Sequence, residues 1–136
     1  LAQELLRRYP SNRILVYPDA SGSARSTINA SKTDLAILQG YGFGSMALKS
    51  NPFIKDRVAT VNALLQNGKG ERRLAIHASC TRLISCLELQ SYDEKTGDPD
   101  KQNGYDHMND ALGYLIYREF NLLYGRAGKR TGIRIY

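Results

Sequence analysis

An α/β fold with a mostly parallel central sheet flanked by helices is predicted by three features of this 136-residue sequence. Ile14-Leu15-Val16-Tyr17 is an apolar run rich in branched residues, the habit of a strand buried on both faces. Helix-like and strand-like stretches then alternate, an order that builds right-handed parallel crossovers. Finally, Pro18 ends the first ladder for want of an N–H, and Asp19 follows at the strand's carboxyl end. In open α/β sheets that edge is where ligands gather. Asp19 has two readings at this point: a carboxylate that serves a site, or one that closes an Asx turn with Gly22.

Taken in order, Leu1 to Arg8 reads as a short helix with Leu1, Leu5 and Leu6 on one side, broken by Tyr9-Pro10-Ser11-Asn12. The Ser21-Gly22-Ser23-Ala24-Arg25-Ser26-Thr27 stretch reads as a loop, with Arg25 a phosphate contact; it lacks the spacing of a P-loop or a dinucleotide fingerprint. Ser31 or Thr33 caps a helix over Asp34 to Gln39, closed by Gly40 and Gly42, and Phe43 to Leu48 reads as a second strand. Asn51-Pro52 opens a helix whose Ile54, Val58, Val61 and Leu65 share a face, with Asn67-Gly68 at its end. Arg73 to Ile76 is a third strand. Ser79 caps the helix that follows, with Cys80, Leu83, Ile84 and Leu87 as its apolar stripe. His77, at that strand's end, reads more readily as a packed or exposed histidine than as a ligand. Tyr92 to Gly104 is charged and turn-rich, a hairpin or loop from which Lys95 and Lys101 reach a substrate backbone; its acids lack the EF-hand order.

The length suits a single domain that buries roughly two-thirds of its unfolded surface. No apolar run approaches the ~20 residues of a membrane span, and no signal-peptide pattern is present. The start, without methionine and already helical, suggests a fragment of something longer. Cys80 and Cys86 have no CxxC neighbour and fit reduced thiols. Net charge is +6, and Arg118, Arg126, Lys129, Arg130 and Arg134 crowd the end of the chain. A basic tail over residues 124–136 favours a polyanion, nucleic acid first, or else is a solvated extension.

A second acidic cluster opens the last long helix: Tyr105-Asp106-His107-Met108-Asn109-Asp110-Ala111-Leu112-Gly113-Tyr114. Met108, Ala111, Leu112 and Leu115 form its expected core stripe. Asp106 and Asp110 lie one turn apart, where the helix dipole also favours acids, so a cap and a first-turn acid would account for both. Small Ala111 and Gly113 beside Asp110 would let this helix approach the sheet and bring Asp110 to the mouth where Asp19 sits. Carboxylates brought together there repel unless cations lie between them, and hard Mg²⁺ or Mn²⁺ is the usual answer. Two such ions suit phosphodiester hydrolysis.

Four stretches, Val16 to Gly22, Asn51 to Val58 with Val61-Asn62, Cys80 to Ile84, and Asp106 to Tyr114, together resemble the ribonuclease H-like nuclease domain of the tailed-phage terminase large subunit. The resemblance runs from the first helix to about Phe120 and suggests a partial nuclease domain over residues 1–123. It implies a metal-dependent endonuclease that cuts concatemeric viral double-stranded DNA, with two Mg²⁺ or Mn²⁺ ions. Asp19 matches the family's second acidic residue and Asp110 its third. His107 matches a histidine often beside that aspartate, orienting it or a water. The family's first acidic residue, on an opening strand, has no match in Leu1 to Asn12. The expectation is therefore a fold without its opening strands, with Asp106 as a substitute ligand the less favoured alternative. Implied partners are the packaging ATPase domain, the small terminase subunit and the portal, in the host-cell cytoplasm of a phage or prophage. Lys129 and Arg130 join Arg25, Lys95 and Lys101 as backbone contacts. Two other classes stand beside this one. The first is a non-catalytic module that binds DNA or a packaging protein. The second, a Rossmann-like nucleotide enzyme using Ser21-Gly22-Ser23, lacks the glycine spacing it needs.

Overall fold

A computed structural model describes residues 1–20 and 34–120, and the backbone of residues 133–135. The chain divides into two units, Leu1–Asn51 and Pro52–Tyr136.

In the first unit, helix α1 (Ala2–Arg8) carries Glu4 between Arg7 and Arg8, with oxygen–nitrogen distances of 2.8 and 2.7 Å. These pairs one turn apart hold the carboxyl of Glu4 below its ordinary range, Arg7 contributing most. Strand β1 (Leu15–Val16) pairs in parallel with β2 (Gly44–Ser45), and α2 (Asp34–Gly40) lies between them in sequence. The ladder is flanked by Gly44 N–H on Ile14 and Met46 N–H on Val16, both 2.9 Å, and stops short of Pro18 as its missing donor requires. The expected parallel crossover is there, but the doubly buried strand is not. Leu15 is 38% exposed and Val16 half-buried, because among the described residues β1 has one strand neighbour, β2. Gly42 turns the chain at φ +85°, and Phe43 beside it is buried. The expected caps Ser31 and Thr33, and the Ser21-Gly22-Ser23 turn, lie outside the described residues.

The second unit is built on three helices: α3 (Ile54–Leu65), α4 (Thr81–Leu89) and α5 (Asp106–Phe120). Its core joins Val61 and Leu64 of α3, Leu83 of α4, Leu112, Ile116 and Phe120 of α5, and Leu74. Leu74 belongs to β3 (Leu74–Ile76), which pairs in parallel with β4 (Ile133–Ile135). The strands thus form two separate parallel pairs, one in each unit, rather than one continuous sheet among the described residues. A strand also forms within the basic end of the chain, where the charge pattern suggests a tail.

Three local expectations are corrected. The buried face of α3 runs through Arg57, Thr60, Val61 and Leu64; of the expected Ile54, Val58, Val61 and Leu65 line, Val61 is buried and Leu65 packs against the core, while Ile54 and Val58 are half-buried. Ser79 does not cap α4: its hydroxyl lies 2.8 Å from His77 Nδ1, and Cys80 occupies the cap position without a side-chain bond. On α5, Leu112 is in the core as expected and Met108 packs against it, but Ala111 faces solvent, and Ile116, Tyr117 and Phe120 extend the buried face. The turn-rich segment is a hairpin closed by an antiparallel bridge between Tyr92 and Pro99. Asp93 Oδ1 organises its tip, accepting the N–H groups of Lys95 and Thr96 at 2.9 and 2.8 Å.

Candidate functional site on helix α5

Helix α5 places its acids differently from one another. Asp106, in the first turn, is buried, and its Oδ1 has no hydrogen-bond partner among the described residues. Its other oxygen lies 3.7 Å from His107 Nδ1, and the His107 side chain is 86% exposed. The histidine thus meets Asp106 rather than Asp110 among the described contacts.

Asp110, one turn on, points at α3. Its Oδ1 is 3.0 Å from Arg57 Nη1, which also approaches the Asp110 carbonyl oxygen at 3.4 Å. Arg57 is only 4% exposed, and its guanidinium lies over the Tyr114 ring, 4.3 Å from the centroid. Such a stack adds a cation–π attraction to the ion pair. Gly113 packs against it: a Cβ there would stand 3.6 Å from Arg57 Cβ and Nη1, an ordinary contact. The glycine thus faces α3, not a sheet. The cost is visible as well, because Arg57 Nε is buried without an acceptor among the described residues. Asn109 ties the same turn to α4, donating to the Cys86 carbonyl at 2.8 Å and to Gln90 Oε1 at 2.5 Å.

Arg57, Asn109 and Asp110 sit on the polar side of a cleft of about 150 Å³ whose apolar side includes Val58, Val61 and Leu87. Nothing in the spacing of α5 announces Arg57. A helical wheel of α3 drawn through residues 57, 60, 61 and 64 does show a cation on the buried stripe, and that was the available signal.

Asp19 is half-buried just beyond β1 in the first unit, next to Ala20, whose N–H donates to Asn51 Oδ1 at 2.6 Å. Lys95 and Lys101 are exposed, on and beside the hairpin. Arg25, Lys129 and Arg130 lie outside the described residues.

Asp110 suits a hard divalent cation as one ligand: a carboxylate at the rim of a cleft, with its side chain 35% exposed. Among the described residues no group of three or more His, Cys, Asp or Glu stands together as a metal-binding set.

A mixed α/β domain with parallel strand pairs and an acid-bearing helix is the class that these features define. Residues 2–119 match the terminase RNaseH-like domain family, and the chain belongs to that family. Its class is therefore a terminase nuclease-type module. Comparison with curated proteins and with solved structures gave no match.

Proposed function

We propose that this chain is a metal-dependent endonuclease domain of a phage DNA-packaging terminase, cutting concatemeric double-stranded viral DNA. The observation that carries the reading is Asp110, presented at a cleft rim on α5 within a stretch matched to the terminase RNaseH-like domain. Asp19 and Asp110 are its proposed ligands for Mg²⁺ or Mn²⁺. Bound divalent ions would supply an activated water and stabilise the departing oxygen of a phosphodiester. His107, exposed one turn before Asp110, is assigned to orient a water. Exposed Lys95 and Lys101, with Arg25, Lys129 and Arg130, are assigned to the DNA backbone, a contact set without base reading. On this reading the remaining partners are the packaging ATPase domain, the small terminase subunit and the portal, in the host-cell cytoplasm.

The test is a Mn²⁺ titration of the chain, following both its melting temperature and cleavage of plasmid DNA. Mn²⁺ raises the melting temperature, and Asp19→Asn and Asp110→Asn each reduce that rise. A melting temperature indifferent to millimolar Mn²⁺, together with intact plasmid, would remove the nuclease reading. One observation favours a second reading, a non-catalytic DNA-binding module: Asp110 already has a cation beside it in Arg57. DNA binding that survives both substitutions, without cleavage, would establish that alternative.

A further inference from the structure

We infer that the cleft bounded by α3, α5 and the hairpin takes one unpaired pyrimidine base of a DNA strand, with Tyr92 stacked on its ring. The inference rests on the reading of this chain as acting on DNA, and it needs no metal. Size is the first argument. The cleft measures about 150 Å³, and a cavity of that order accepts a single benzene ring. One six-membered ring fits such a space, whereas the fused rings of a purine overfill it.

Polarity is the second. Val58, Val61 and Leu87 line the cleft with apolar surface, and Asn62, Gln90 and Asn109 bring amides to it. Arg57 and Asp110 are paired at 3.0 Å, so their charges largely cancel, and a neutral ligand suits the cleft better than an anion. A flat neutral ring with donors and acceptors along one edge matches these walls: its faces lie on apolar side chains while its edge meets amides. Asn62 is exposed, and its amide offers a donor and an acceptor together.

Position is the third. Tyr92 and Pro99, the bridged pair of the hairpin, also line the cleft, and Tyr92 is 56% exposed. A large exposed aromatic beside a cleft gives a base a face to stack on. Lys95 and Lys101 are exposed on and beside the same hairpin, so the strand's phosphates find cations near the cleft that holds its base.

Fluorescence anisotropy of the full chain with a short labelled oligothymidylate tests this, against an abasic strand and an oligodeoxyadenylate of the same length. Oligothymidylate binds several-fold more tightly than either. Tyr92→Ala lowers its affinity roughly fivefold or more and leaves the abasic strand unaffected, whereas Tyr92→Phe keeps the ring and the affinity. A measurement without substitutions covers the case in which Tyr92→Ala fails to fold. The side-chain amide resonances of Asn62 and Gln90 shift with oligothymidylate and stay in place with the abasic strand. Equal affinity for the thymidylate and abasic strands overturns the inference and leaves DNA binding intact. So does equal or tighter binding of the adenylate, or a folded Tyr92→Ala chain that binds thymidylate as the wild type does. Failure to bind any strand, duplex DNA included, at low salt defeats instead the reading of the chain as acting on DNA, and this inference with it.

Discussion

Arg57 and Asp110 are unequal members of their ion pair, one 5% and the other 35% exposed in the side chain. Removing the exposed member leaves the buried charge uncompensated, whereas removing the buried member leaves an acid that water can reach. Asp110→Asn therefore destabilises by about 2–3 kcal/mol and Arg57→Met by less, with the double variant recovering part of the loss. Urea unfolding of the three variants measures the cycle. It also separates a stability defect from a site defect when Asp110→Asn is used as the inactive control. Gly113 makes a second residue-scale case. An added methyl meets Arg57 at 3.6 Å, an ordinary contact, and Ala favours a helix over Gly by up to about 1 kcal/mol. Gly113→Ala is thus neutral or stabilising. Gly113→Leu pushes into the guanidinium and lowers the melting temperature. Equal melting temperatures for the two variants would contradict the close approach described here.

At the scale of elements, α5 anchors the second unit. Ile116 is fully buried among residues from α3, α4 and β3. Ile116→Ala leaves a cavity that rigid helices cannot close, at a cost of about 3–4 kcal/mol in chemical denaturation. The hairpin depends on one side chain instead. The N–H groups of Thr96 and Lys95 and the Thr96 hydroxyl hold the Asp93 carboxyl below its usual range, the Thr96 N–H contributing most. Since the folded value is depressed, this contribution is complete above the ordinary aspartate value. It is lost as pH falls through the lowered one. The amide shifts of Lys95 and Thr96 follow that titration by NMR. In Asp93→Asn, which keeps an acceptor and loses the charge, they become insensitive to acid.

For the molecule as a whole, charge is the property with a consequence. A net charge of +6 with exposed lysines at the hairpin favours non-specific contact with DNA phosphates. If the chain binds duplex DNA as proposed, its affinity falls linearly with salt on logarithmic axes, and each of Lys95→Ala and Lys101→Ala lowers the slope by about one. Fluorescence anisotropy across a salt series reads this, and unchanged slopes would take the hairpin out of the DNA path. Among the described residues no helix is long and apolar enough to cross a membrane.

Much of this was legible in the residues. Periodicity located the five helices among the described residues to within a few positions, since each has a local apolar pattern or a breaker such as Pro52 or Asn67-Gly68. The parallel pairing of β1 and β2 followed from the helical stretch between them. The motifs from Val16 to Tyr114 also led to the family. Burial was less legible: Leu15 and Ala111 look like core residues yet are exposed, because burial depends on what packs opposite and not on the residue itself. The partner of Asp110 was decided only by tertiary structure. Arg57 stands fifty-three positions earlier in the chain, and no local pattern couples a cation on one helix to an acid on another. That coupling exists because α3 and α5 pack side by side in the folded chain, with a residue no larger than a methyl accommodated beside the guanidinium at position 113.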